Sequence, residues 1–182
     1  RSHWPQDHPK SRMVGLGLNA AEMQANPDLD EAVVHDVNAD PVLPFEDETF
    51  DAVTSDPLDP WVKGAATLYT REFFSLVRSR LVRGGVFVQW IGLPFANDSL
   101  TKMLVASLHA VFEHVELYQP SFGSLLFLAS DTPLQVEETA RRALEADPEK
   151  FAEEGLDGLE EILATRVLAS GDSRRFAEGA SA

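Results

Sequence analysis

The chain has 182 residues, enough for one domain with a real hydrophobic core. Its hydrophobic fraction of 44% and charged fraction of 25% are those of a globular protein, and its net charge of −15 argues against a phosphate-binding nucleic-acid surface and against adhesion to an anionic membrane. It has no cysteine, which excludes disulfides, zinc–thiolate sites and thiol nucleophiles.

Residues 1–11 are polar with two prolines and read as a loop. Arg12 to Leu18 is a short apolar run ending in glycines, which suits a buried strand. Ala20 to Ala25 is helix-prone, and Asn26-Pro27 ends it. Glu31 to Val37 reads as a second strand, and Asn38 to Asp47, rich in Pro and Asp, as a loop. Phe50 to Ser55 reads as a third strand, followed by a loop from Asp56 to Gly64.

Leu68 to Arg83 has the clearest helical face, carried by Phe73, Leu76 and Val77, with Gly84-Gly85 as its stop. Val86 to Ile91 is a strand, and Ser99 to Phe112 a second amphipathic helix. Val115 to Tyr118 and Ser124 to Ala129 are strands joined by a turn. The acidic remainder suggests helices near 136–146 and 157–169. Strands alternating with helices predict an α/β fold with a mostly parallel sheet, and the two adjacent strands predict an antiparallel hairpin at its edge. We expect residues 1–133 to form the α/β domain and 134–182 a helical extension of it. In such sheets ligands bind beyond the carboxyl ends of the strands, which brings forward the loops at Gly15–Asn19, Asp36–Asp40 and Asp56–Gly64.

Gly15 and Gly17, followed by Asn19, stand between a strand and a short helix. Glycine there admits close approach of a nucleotide, or simply makes a tight turn. Asp36 follows Gly15 at about the 20-residue spacing of a carboxylate that accepts ribose hydroxyls, with Asn38 in the same loop; a turn or cap role fits Asp36 equally. Asp56-Pro57-Leu58-Asp59-Pro60 holds two carboxylates, each fixed in extended backbone by a following proline. Such a pair can bind a cationic amine and take its proton as it attacks an electrophile; spacing alone also fits two loop-capping aspartates. His109 and His114 lack an acidic partner at metal-ligand spacing, and no metal site is expected.

Leu43-Pro44-Phe45-Glu46-Asp47 before Phe50-Asp51-Ala52-Val53 resembles class I S-adenosylmethionine-dependent methyltransferases, and the likeness runs over residues 12–53. Phe50 to Pro60, Leu68 to Phe74, Gly84 to Trp90, Val111 to Val115 and Gly123 to Ser130 resemble the spermidine synthase family, over residues 50–180. The resemblance implies a Rossmann-like methyltransferase fold. It also implies Asp56 as the base on the attacking amine, Asp59 as a second amine contact and Tyr69 near the substrate. Gly15, Gly17, Asn19, Asp36 and Asn38 would meet S-adenosylmethionine or its decarboxylated form, used as a substrate.

The fold implied by the resemblance opens with a strand and a fuller glycine loop that this pattern lacks. Arg12–Leu18 is then the second strand of that fold, or else Gly15–Asn19 is a reduced glycine loop. The expected activity is transfer of an aminopropyl or related alkyl group to an amine. Methyl transfer, or a non-catalytic interaction domain, are the alternatives. The expected partners are a small molecule such as a cationic amine and, through an open sheet edge, a second copy of the chain. Nucleic acid and membrane are not expected, and the location is expected to be cytoplasmic.

Overall fold

A computed structural model describes residues 12–56, 64–153, 155–156 and 158–178. They form two compact units, one of residues 12–44 with 137–159, the other of 45–136 with 160–178.

In the first unit, β1 (Val14–Gly17) and β2 (Glu31–Val34) pair in parallel, with Val14 opposite Glu31 and Gly17 opposite Val34. Between them lies α1 (Ala20–Ala25), whose N-cap Asn19 accepts a hydrogen bond from the Glu22 amide. β2 is shorter than the Glu31–Val37 run suggests, because the chain turns at Asp36. That residue's carboxylate accepts from the Asn38 amide, and its carbonyl accepts from the Ala39 and Asp40 amides. α4 (Val136–Ala146) forms as expected, laced by the Arg141–Glu137 and Arg142–Glu138 pairs one turn apart. α5 (Pro148–Glu153) follows.

The second unit holds a five-stranded sheet in the order β3-β4-β6-β5-β7. β3 (Phe50–Ser55) runs parallel to β4 (Leu81–Gly92). β6 (Ser124–Ser130) is antiparallel to β4 and to β5 (His114–Ser121), so β3, β4 and β5 share one direction. The parallel β3–β4 pair and the antiparallel β5–β6 hairpin are as expected, but β7 (Arg166–Leu168) rather than the hairpin forms the edge of the sheet. α2 (Arg71–Arg80) and α3 (Asp98–His109) are the connecting helices.

Alternation along β4 sends Phe87, Gln89 and Ile91 to one face, all essentially without exposure. Phe87 meets Phe74 of α2 at 5.6 Å between centroids and stacks on Phe112 at 6.1 Å. Phe73, Phe74 and Val77 are the buried residues of α2, and Leu104, Val105 and Leu108 those of α3.

The helix expected over Leu68–Arg83 is shorter and starts differently. A 3-10 turn (Ala65–Tyr69) precedes it, and Thr70 caps α2 by accepting from the Phe73 amide. α2 ends at Arg80, not at the glycines, because Leu81 turns extended, buries its side chain and pairs with Phe50. Gly84 and Gly85 lie inside β4 instead. Gly84 has φ +83°, and a Cβ on Gly85 would stand 3.0 Å from the Val82 carbonyl oxygen and 3.1 Å from that of Asp51. Both neighbours are backbone and cannot move aside cheaply. Gly85→Ala is therefore expected to lower stability by about 1–3 kcal/mol, read as a lower urea midpoint at unchanged m.

The helix expected over 157–169 is broken. α6 (Leu159–Ala164) gives way to β7 (Arg166–Leu168), which pairs with β5, and α7 (Ser170–Ala177) follows. Beside β7, Glu116 of β5 is buried; the Tyr118 hydroxyl donates to its carboxylate, and Arg166 lies 3.9 Å away. Burial, then the Glu116 carboxylate, pushes the Tyr118 phenol well above its ordinary range. Among the described residues, no helix is long and apolar enough to cross a membrane.

Candidate active site

β3 delivers its carboxyl end at Ser55, and Asp56 is the next residue, exposed to solvent. Ser55 is opposite Gln89 in the parallel ladder, so the ends of β3 and β4 lie side by side. The Gln89 side chain is fully buried there. Its amide nitrogen donates to the Ser55 carbonyl at 3.4 Å and to the Trp90 carbonyl at 3.0 Å, while its Oε1 is buried without a hydrogen-bond partner. An orphaned acceptor of this kind is costly unless something donates to it. One residue along from Ser55 is a solvent-facing carboxylate. That carboxylate is an acceptor open to solvent at a strand end, which suits an N–H donor bearing positive charge.

Sequence reasoning did not single out Gln89. Its signal is a lone polar side chain within the apolar run Val86-Phe87-Val88-Gln89-Trp90-Ile91, on the face that alternation predicts to be buried. Asp59 lies outside the described residues. Tyr69 closes the 3-10 turn that leads into α2 and is half-buried.

In the first unit, neither Gly15 nor Gly17 has positive φ. A Cβ on Gly15 would fall 2.5 Å from Leu29 Cδ1, and one on Gly17 would fall 3.2 Å from Met23 Sδ. Close packing of β1 on Leu29 and Met23 thus gives both glycines a local reason, although those flexible side-chain ends could shift. Asn19 spends its side chain on Glu22, accepting from the amide and donating to the carboxylate. Asp36 is half-buried at the turn after β2, and Asn38 is exposed beside it.

A cavity of about 560 Å³, lined by Asp47, Arg78, Arg83, Gly84 and Asp131 among others, opens at the amino end of β4. That is the far end of the strand from Asp56, so it is no part of this site. No group of three or more metal-ligating side chains occurs among the described residues.

A family model described as the spermine/spermidine synthase domain matches residues 21–124, which include Asp56, Tyr69 and Gln89. Polyamine aminopropyltransferase 1 of Hyperthermus butylicus is 36% identical over 120 residues, covering 60% of this chain and 41% of the relative. Polyamine aminopropyltransferase 2 of Pseudomonas aeruginosa is 37% identical over 89 residues, covering 45% and 26%. The chain spans less than half the length of these curated relatives. Among solved structures, a probable spermidine synthase from Corynebacterium glutamicum superposes with a TM-score of 0.59 at 16% identity, covering 97% of this chain and 73% of that one. Spermidine synthase from Thermotoga maritima gives 0.57 at 19% identity, covering 92% and 60%. At that identity the superpositions establish the fold, a Rossmann-like methyltransferase fold, and nothing finer.

Proposed function

The chain belongs to the spermine/spermidine synthase domain family, and from that premise we propose that it transfers an aminopropyl group from decarboxylated S-adenosylmethionine to an amine. The observation that supports this reading is the solvent-exposed carboxylate of Asp56 directly after the carboxyl end of β3, beside the end of β4 and inside the matched region. An ammonium has no lone pair with which to attack. Asp56 takes its proton, the freed pair forms the new N–C bond, and the C–S bond breaks with its electrons passing to sulfur. The sulfonium leaves as a neutral thioether, methylthioadenosine, so charge is conserved.

Asp59 adds a second carboxylate, and Tyr69 borders the amine. Gly15, Gly17, Asn19, Asp36 and Asn38, at the end of β1 and in the loops after β1 and β2, are the candidates for binding the adenosyl part. One solved structure with the same fold is a spermidine synthase in complex with the transition-state analogue AdoDATO, which fits a donor of this chemistry.

The test is incubation of the purified chain with the decarboxylated sulfonium and a set of diamines, followed by product mass. An aminopropylated amine together with methylthioadenosine is expected; a methylated amine formed from S-adenosylmethionine would replace this reading. Gln89→Leu removes the donor to the Ser55 and Trp90 carbonyls and is expected to change stability by about 1–3 kcal/mol, read from the urea midpoint, with the KM for the sulfonium unchanged.

A further inference from the structure

α7 is held to the sheet by one buried polar contact. Ser173 is its only buried residue, with no exposed surface. Ser173 Oγ lies 2.6 Å from the Val115 carbonyl and 2.8 Å from that of Ser170, and His109 Nε2 of α3 lies 2.9 Å away. A hydroxyl has one proton, and carbonyls only accept, so that proton goes to a carbonyl. The third contact must then run from His109 Nε2–H to the serine oxygen. This fixes the ring tautomer, with Nδ1 as the bare nitrogen, and Nδ1 is buried without a hydrogen-bond partner.

We propose that the contact between His109 and Ser173 is an acid-sensitive clasp, closed with neutral imidazole and opened by its protonation, which releases α7 from α3 and β5. A proton can enter only at Nδ1, and the new donor there would be buried with no acceptor in hydrogen-bond geometry. Of the surroundings, only the Phe112 backbone favours the protonated ring, and burial and Arg174 outweigh it. Arg174 of α7 and His114 of β5 are the charged or titratable groups that act on the ring, and both oppose a second positive charge. Arg174 is fixed nearby by donating to the Glu113 carbonyl, and His114 Nδ1 lies 3.4 Å from Ser170 Oγ. On α7, Asp172 is engaged by Arg175, and on α3, Lys102 stands over the Phe176 ring at 5.3 Å.

Burial first and Arg174 second hold His109 below its usual 6.5, with the Phe112 backbone acting in the opposite sense. The folded state therefore binds the proton more weakly than the unfolded chain. The clasp's contribution is complete above about pH 6.5 and is lost as pH falls from there toward the lowered folded value. β7 immediately precedes α7 and pairs with β5 over only a few residues, so opening the clasp loosens that edge of the sheet too.

The experiment is amide hydrogen exchange on the full chain at pH 7.5 and pH 5, corrected for intrinsic rates, with α2 as the internal reference. We expect protection of Ser170–Ala177 to fall relative to α2 on acidification, by tenfold for each unit by which folding lowers the imidazole's affinity. His109→Gln keeps an N–H donor that cannot titrate; it should hold α7 at both pH values and abolish the response. Ser173→Ala should expose α7 at both. His114→Gln should leave the response in place. Nitrogen-15 shifts of His109 should report the Nε2–H tautomer at neutral pH. Equal protection of α7 at the two pH values, a response that survives His109→Gln, or the opposite tautomer would each overturn the proposal.

Discussion

Asp56→Asn is expected to lower the rate of amine alkylation by about 10²–10⁴-fold, the loss that follows removal of a general base. The variant keeps the shape and hydrogen-bonding capacity of the side chain but cannot take a proton from the attacking amine. Asp56 is exposed at a strand end, so stability should change by no more than about 0.5 kcal/mol. The sulfonium should still bind, because the carboxylate acts on the amine. Single-turnover rates with a saturating diamine, set beside a urea melt of the same sample, check both halves. Retention of the wild-type rate would remove Asp56 from the chemistry.

The largest effect on stability is expected from Phe87→Ala. Phe87 has no exposed surface and lies among Phe73, Phe74 and Phe112, with ring centroids 5.6 to 6.4 Å away. It joins α2 to the middle of the sheet, so neighbours cannot close on the space without moving the helix. The loss should be about 3–5 kcal/mol, a large part of the stability of an ordinary domain. Phe122, 99% exposed at the tip of the β5–β6 hairpin, is the matching control. Phe122→Ala should scarcely shift the urea midpoint, and equal effects at the two positions would contradict the packing described for the sheet.

Local pattern carried much of this fold. The alternation of Phe50–Ser55, Val86–Ile91 and the hairpin strands was legible because half of each strand faces a buried core. The features that pattern missed are set by partners far away in sequence. Arg166–Leu168 sits in an acidic, helix-prone stretch and becomes a strand because β5 offers its edge. Leu81 ends α2 because Phe50 pairs with it and burial holds its side chain, which outweighs the stop signal of Gly84-Gly85.

The candidate site divides in the same way. Asp56 was legible from a strand end followed by proline. Gln89 was not, because its meaning depends on the carbonyl of Ser55 in the neighbouring strand. Gly15 and Gly17 suit a nucleotide loop on spacing alone, yet Leu29 and Met23 give each a packing reason that no local pattern contains.

Calorimetric titration of the purified chain with decarboxylated S-adenosylmethionine, S-adenosylmethionine and methylthioadenosine, in parallel, tests the central claim most directly. Aminopropyl transfer predicts binding of the decarboxylated sulfonium in preference to S-adenosylmethionine, with methylthioadenosine competing for the same site. Preference for S-adenosylmethionine, or no heat from any of the three with a chain shown to be folded, would contradict it.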